Sequence, residues 1–266
     1  MGPPGIEVSP DLGYDEWMKT EINKVMQSAP SRTVVVIPCY NAGVRLQTVL
    51  EMLQPAGVDV VVVDDGSTDG SANIGDLPRV STVRFSTNRG KGHALLVGIA
   101  AALNQNPDAV ILMDADGQHD PGHLAALAAA VTEGNADLAI GQRDFRFPRI
   151  PFASWLGNRV TSLLAWICLG CWLNDTQCGY RALSPRFAQT VLQQVPGGRY
   201  ETETAMLAMA VLGGYRLQKI PVSTRYEPGN RSSHFRKGVD SFRVLAELIR
   251  SARRYRKTEQ QNHLHE

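Results

Sequence analysis

Asp114 and Asp116, two carboxylates one residue apart, follow the apolar run Val110-Ile111-Leu112-Met113. An apolar run of that length reads as a buried strand, so the two acids fall where the strand reaches solvent. Hard oxygen ligands in such a place suit Mg2+ or Mn2+, and two carboxylates leave coordination positions open for water and a diphosphate. A solvated turn can show the same letters, and the motifs around this one decide for the ligand reading.

Two more apolar runs end in polar clusters. Thr33 to Ile37 is a β-branched strand that Pro38 is expected to stop, followed by Tyr40-Asn41. Val58 to Val63 is a second strand, ending in Asp64-Asp65-Gly66-Ser67-Thr68-Asp69. Between and after them the pattern predicts a helix over Val44–Leu53, a strand over Val80–Phe85, an alanine-rich helix over Gly92–Leu103 and a strand over Ala109–Met113. A helix opened by Pro121 and running to Thr132 comes next, then a strand over Asp137–Ile140. Strands alternating with helices imply an α/β fold with a mostly parallel sheet flanked by helices, and ligands of such sheets sit beyond the carboxyl ends of the strands. The three polar strand ends should therefore face one crevice.

The second half reads differently. Phe152–Leu173 is a long helical segment carrying Trp155, Trp166 and Trp172, and Asn174–Arg181 is a polar turn leading into a short strand. A helix over Glu201–Leu212, a strand over Tyr215–Arg225 and an amphipathic terminal helix over Val239–Arg256 complete the pattern. The uninterrupted apolar stretch Leu163–Leu173 is too short to span a bilayer. It suits either a core helix or one lying in a membrane interface with tryptophan anchors. Residues 1–30 read as an N-terminal arm, with a short helix from Tyr14 to Gln27.

The 266 residues are close to neutral, at a formal charge of +1, but the stretch from Arg225 to Lys257 is dense in Arg and Lys. Such a tail favours phosphate, nucleic acid or an anionic membrane surface. Met1 to Pro30 lacks a signal-peptide pattern, and no apolar stretch of about 18 residues occurs, so the expectation is a cytoplasmic protein, peripheral at the inner face of the membrane. The four cysteines, Cys39, Cys168, Cys171 and Cys178, form no secreted disulfide pattern. Cys168-x-x-Cys171 lies in an apolar run without a second ligand pair and reads as buried helical thiols. Asp65-x-Ser67-x-Asp69-Gly70 mimics a calcium loop, but a strand precedes it where an EF-hand needs a helix.

In order along the chain, Pro38-Cys39-Tyr40-Asn41, Asp64-Asp65-Gly66-Ser67-Thr68-Asp69, Asn88-Arg89-Gly90-Lys91-Gly92 and Asp114-Ala115-Asp116-Gly117-Gln118 resemble family 2 glycosyltransferases. More narrowly they resemble the branch of dolichyl- and polyprenyl-phosphate sugar synthases, with later matches at Gly141-Gln142-Arg143, Gly157-Asn158-Arg159, Asp175–Arg181 and Ser232-Ser233-His234-Phe235. The resemblance implies a GT-A nucleotide-sugar-binding fold over residues 31–237, with a donor half at about 31–143, an acceptor half at about 144–237, and a basic C-terminal helix and tail at 238–266. It also implies inverting transfer from a UDP- or GDP-linked sugar to a polyprenyl phosphate, dependent on Mg2+ or Mn2+, with no specific nucleic acid among its partners.

On that resemblance Asp114, Asp116 and Gln118 hold the metal, and His119 is a surface residue. Pro38, Tyr40, Asn41, Asp64, Asp65, Lys91, Asp114 and Ala115 form the donor site. Asp65, with Asp64 as its alternative, accepts an N–H of the base or else makes an Asx-turn. Arg143 and Arg159 handle phosphate, Arg159 otherwise belonging to a solvated helix face. Arg159, Arg181, Arg231, Ser233 and His234 meet the acceptor, with Arg181 alternatively paired to Asp175. Ala42 stands where dolichyl-mannose members carry a glutamate, which leaves the ribose contact and the base open. A hydroxyl acceptor would need a general base, for which Asp175, Glu201 and Glu203 are the candidates. A lipid phosphate already carries its charge and needs none.

Overall fold

The computed structural model describes residues 32–71, 73–74, 77–143, 152–172, 175–199, 201–223, 243 and 246–253, with 152–158 as backbone. The expected arm, the helix over Tyr14–Gln27 and residues 224–242 lie outside them. The elements run β1 (Thr33–Cys39), α1 (Arg45–Leu53), β2 (Asp59–Asp64), β3 (Val80–Arg84), α2 (Lys91–Leu103), β4 (Ala109–Leu112) and, after a 3-10 turn at Pro121–His123, α3 (Leu124–Thr132). There follow β5 (Leu138–Arg143), α4 (Phe152–Leu169), β6 (Arg181–Leu183), α5 (Pro185–Gln194), α6 (Glu201–Leu212) and β7 (Leu217–Val222). Helix α5 is absent from the sequence reading, although Ser184 caps it by accepting from the Phe187 N–H and Pro185 opens it.

Seven strands form one sheet in the order β3-β2-β1-β4-β6-β5-β7. All neighbours are parallel except around β6, which runs antiparallel to both β4 and β5. The β1–α1–β2 and β3–α2–β4 crossovers travel in opposite directions across the sheet. For right-handed connections that puts α1 and α2 on opposite faces. Gly98 lets α2 sit close to the strands, since a Cβ there would lie 2.2 Å from Val36 Cγ1. Every residue of β1 and β4 is buried, as expected for central parallel strands.

Strand β1 runs through Pro38 to Cys39 instead of stopping before the proline. The Val36 carbonyl accepts from Met113 N on the β4 side, so residue 38 also faces β4. The β1–β4 register ends at Val36 with Leu112, and a missing N–H at Pro38 therefore forfeits no ladder bond.

Asp137 ties the far half together. Its carboxylate accepts from Arg186 Nη2 on α5 at 2.8 Å and from the Arg216 N–H ahead of β7 at 3.0 Å. Burial pushes its pKa up, but the Arg216 N–H and the two guanidiniums outweigh burial and hold it below the ordinary carboxylate value. A depressed folded-state pKa means stability that is present above the unfolded value of about 3.9 and is lost as pH falls. Asp137→Asn should cost about 1–2 kcal/mol at neutral pH, the deficit shrinking as pH falls below the ordinary carboxylate value of about 3.9. Urea unfolding of both proteins across that range measures it.

Candidate active site

Parallel pairing puts the carboxyl ends of β1, β2 and β4 on one edge. Because β6 is antiparallel and Arg181 pairs with both Leu112 and Ile140, the turn entering β6 meets the tips of β4 and β5 at that same edge.

At the β1–β2 corner Pro38 is buried and Tyr40 is exposed. Asn41 takes a left-handed backbone (φ 48). Its N–H donates to Ser67 Oγ at 3.0 Å, and its side-chain oxygen accepts from the Thr68 N–H at 2.9 Å. The two acids expected at the base are 0% and 2% exposed and build the walls around it. Asp64 accepts from the Ser67 N–H at 2.8 Å and lies 3.1 Å from Arg84 Nε. Both oxygens of Asp65 are taken, by the N–H groups of Arg89 at 2.6 Å and Gly90 at 2.8 Å. Asp65 thus braces the second strand's end against the Asn88–Gly92 loop. Beside them lies an open cleft of about 330 Å3 lined by Gly66, Ser67, Thr68, Arg84, Phe85 and Ser86.

At the tip of β4, Lys91 Nζ lies 2.6 Å from Asp114 Oδ1 and 3.1 Å from Glu203 Oε2. Burial works against the Lys91 ammonium, but the two carboxylates outweigh it and hold it protonated well above the usual lysine value. Burial likewise pushes Asp114 up, but Lys91 and then His119 pull it well below the carboxylate range. Asp116 shifts the other way, raised by its own burial and then by the charge of Asp114. Its Oδ1 accepts from the Gln118 N–H at 3.0 Å, and Ala115 between the acids is buried.

His119 corrects the expectation of a surface position. It is 4% exposed, its Nε2 is 3.4 Å from Asp114 Oδ2, and its ring lies 5.0 Å from that of Tyr180. Neither ring nitrogen makes a hydrogen bond. Gly179 closes over the same carboxylate, since a Cβ there would be 2.6 Å from Asp114 Oδ2.

Across β6, Asp175 is fully buried and grips Arg143 bidentately, Oδ2 to Nε at 2.5 Å and Oδ1 to Nη2 at 3.0 Å. The Gln177 N–H donates to the same Oδ1 at 3.0 Å. Asp175 therefore orients Arg143, where Arg181 was the expected partner. Arg181 is itself 0% exposed and donates to the carbonyls of Cys178, Glu203 and Thr176 at 3.0, 2.6 and 3.3 Å. It joins β6 to α6, with its guanidinium engaged by these three carbonyls. Arg159 is exposed on α4, while Arg231, Ser233 and His234 lie outside the described residues.

Helix α4 is neither wholly core nor wholly surface. Ala165 and Leu169 are buried, whereas Val160, Leu163, Trp166 and Ile167 are 45–58% exposed along the other side. Among the described residues no helix is long and apolar enough to cross a membrane.

The profile of glycosyl transferase family 2 matches residues 34–191, more than half of the chain. The chain belongs to glycosyl transferase family 2. Over 238 residues it is 30% identical to an uncharacterised protein of Methanocaldococcus jannaschii, covering 88% of this chain and 98% of that one. An undecaprenyl-phosphate mannosyltransferase of Micrococcus luteus is 31% identical over 207 residues, 72% of this chain and 83% of its own. A UDP-N-acetylglucosamine–dolichyl-phosphate N-acetylglucosaminyltransferase of Methanococcus voltae is 26% identical over 213 residues, 72% and 85% of the two chains. The crystal structure of mannosyl-3-phosphoglycerate synthase from Rubrobacter xylanophilus shares the fold, at TM-score 0.64 and 15% identity over 90% of this chain and 79% of that one.

Glu203, Gly179 and His119 are the residues that motif reading missed or misplaced. His119 directly follows Gln118, and its short distance in sequence from the acids was the available signal. Glu203 is 112 residues from Lys91, and no local pattern announces the pair.

Arg181→Met should destabilise the protein by about 2–4 kcal/mol, because three buried carbonyls lose their donor. Thermal unfolding checks it. Wild-type stability together with weakened acceptor binding would assign Arg181 to the acceptor.

Proposed function

We propose that this protein is a metal-dependent, inverting glycosyltransferase that moves a sugar from a UDP- or GDP-linked donor to a polyprenyl phosphate. The observation that carries the reading is the meeting of Asp114, Asp116 and Lys91 with the Asp175-braced Arg143 at one sheet edge. The donor set is all oxygen. Asp114, Asp116 and Gln118 would hold a divalent cation with positions left for diphosphate oxygens, and this fits Mg2+ or Mn2+. Among the described residues no cluster of three or more His, Cys, Asp or Glu closes a cage, as suits a site completed by its substrate. A bound cation there supplies charge neutralisation for the departing diphosphate.

The nucleotide lies along the strand ends. Its base occupies the cleft between the tips of β2 and β3, and its diphosphate reaches β4. Strands about 4.8 Å apart make that span roughly 10–12 Å, within reach of a nucleoside diphosphate. Arg143, held flat by Asp175, and Arg159 steady diphosphate or acceptor phosphate through forked donors. An acceptor phosphate oxygen attacks the anomeric carbon on the face opposite the nucleotide, and the bond from that carbon to the diphosphate oxygen breaks. The attacking oxygen is already anionic, so no proton has to be removed. This matches a site in which Asp175 is bound to Arg143 and Glu203 to Lys91, leaving neither as a free base. The exposed apolar side of α4 lies against the membrane and admits the lipid.

Asp116→Ala should abolish donor turnover in a protein that melts normally; unchanged turnover removes the metal role. Thermal shift with Mn2+ and UDP, GDP or their sugars should show one base class raising the melting temperature, by about 2.7 kcal/mol of stabilisation at a hundredfold excess over Kd. Loss of transfer in Glu201→Gln with donor binding intact would instead favour a hydroxyl acceptor, since Glu201 Oε2 is buried without a hydrogen bond.

Replacing Trp166 and Ile167 together by glutamate should cut co-sedimentation with anionic vesicles several-fold while thermal stability stays within about 1 kcal/mol, as expected for exposed positions. Undiminished sedimentation would exclude α4 as the membrane face.

A further inference from the structure

Lys91 is the first residue of α2, and that helix carries no acidic residue in its first turn. An ammonium there faces the positive end of the helix dipole, the wrong end for a cation. What holds it in place comes from elsewhere. Asp114 Oδ1 is 2.6 Å away, and the two oxygens of Glu203 are 3.1 and 3.3 Å away. Glu203 sits in the first turn of α6, where an acid is favoured. The two helix starts are pressed together at Gly92, whose Cβ would lie 2.0 Å from Thr202 Oγ1. This close approach brings Glu203, from the far half of the chain, to the side of Lys91 away from its own strand. Both side chains are largely buried, at 19% and 8% exposure, so bulk water takes little part in the exchange of partners.

We propose that Lys91 is a resident counter-ion on Asp114 that must be shed before Asp114 can take a divalent cation, and that Glu203 is the positioning residue that receives it. This rests on the reading of Asp114 and Asp116 as cation ligands. The Lys91 ammonium lies between the carboxylates of Asp114 and Glu203, and a swap keeps each of these two paired. Asp114 exchanges the ammonium for the cation, and the ammonium stays on Glu203. Without Glu203 the ammonium loses the acid that receives it and resists displacement from Asp114. Lys91 thereby becomes available to the diphosphate only when the cation has arrived, which couples donor binding to metal binding.

The test is a double-mutant cycle read by Mn2+ binding alone, followed from the electron paramagnetic resonance signal of free Mn2+. Glu203→Gln should weaken Mn2+ binding by about five- to tenfold, and Lys91→Met should tighten it. In the Lys91→Met background the same glutamate change should have little further effect, because Glu203 acts through the ammonium. An equal loss in both backgrounds means that Glu203 contributes only its field, and it overturns the proposal. Unsubstituted protein that binds no Mn2+ overturns the cation reading itself along with the inference, a distinct outcome. Should a variant fail to fold, a structure of the unsubstituted protein with Mn2+ and a nucleoside diphosphate decides. Nζ on Glu203 and beyond hydrogen-bond reach of Asp114 is expected, and Nζ still on Asp114 with Mn2+ bound overturns the proposal.

Discussion

Like charges crowded at the end of a buried strand are the constraint around which this site is arranged. Asp114 and Asp116 are one residue apart, and burial of both raises the cost of leaving their charges unanswered. The fold answers on one side only. Lys91 and His119 turn to Asp114, while Asp116 meets the Gln118 N–H and has its pKa raised by burial and by the charge of Asp114. On the proposed function, a divalent cation adds positive charge on the side of Asp116 that Lys91 does not serve.

The antiparallel strand β6 extends this corner across the sheet. Entering from the carboxyl edge, it places the Asp175–Tyr180 turn directly over the tips of β4 and β5. Gly179 then lies against Asp114 with no room for a side chain, and Asp175 meets Arg143. Arg181 locks the arrangement from beneath by satisfying three carbonyls from two segments. A parallel strand at that position would have entered from the opposite edge and left Arg143 without its orienting carboxylate.

Much of the fold was legible because parallel strands buried on both faces leave continuous apolar runs, and Val34–Ile37, Val60–Val63 and Val110–Leu112 are such runs. Their polar endings located the edge as well. Helix α5 escaped because its buried residues, Phe187, Ala188 and Val191, are few, and its start signal, Ser184-Pro185, follows directly on a short strand. The individual roles of charged side chains were less legible. Sequence marks which acids lie at strand ends but carries no record of which backbone N–H groups reach them. Asp65 is spent on Arg89 and Gly90, 24 and 25 residues away, and Arg181 is spent on carbonyls within its own turn and on α6. Both are motif residues that also hold the motif's shape, a contribution that spacing along the chain does not reveal.

The same distinction bears on the acceptor. A polyprenyl phosphate joins an anionic head to a chain that belongs in lipid, so a protein serving it must offer guanidinium and oil-compatible surface on connected elements. Here β5 ends in Arg143, and the next described element is α4, which presents Arg159 one residue before Val160 and within two turns of Leu163, Trp166 and Ile167. An acceptor that was a small soluble hydroxyl would have no use for that apolar side, and it would need a carboxylate free to take its proton. Of the three candidate acids, Asp175 and Glu203 are paired to cations, and Glu201 is the one whose substitution tests the hydroxyl alternative. The exposed side of α4 and the pairing of those two acids are independent features, and each weighs toward a charged lipid acceptor.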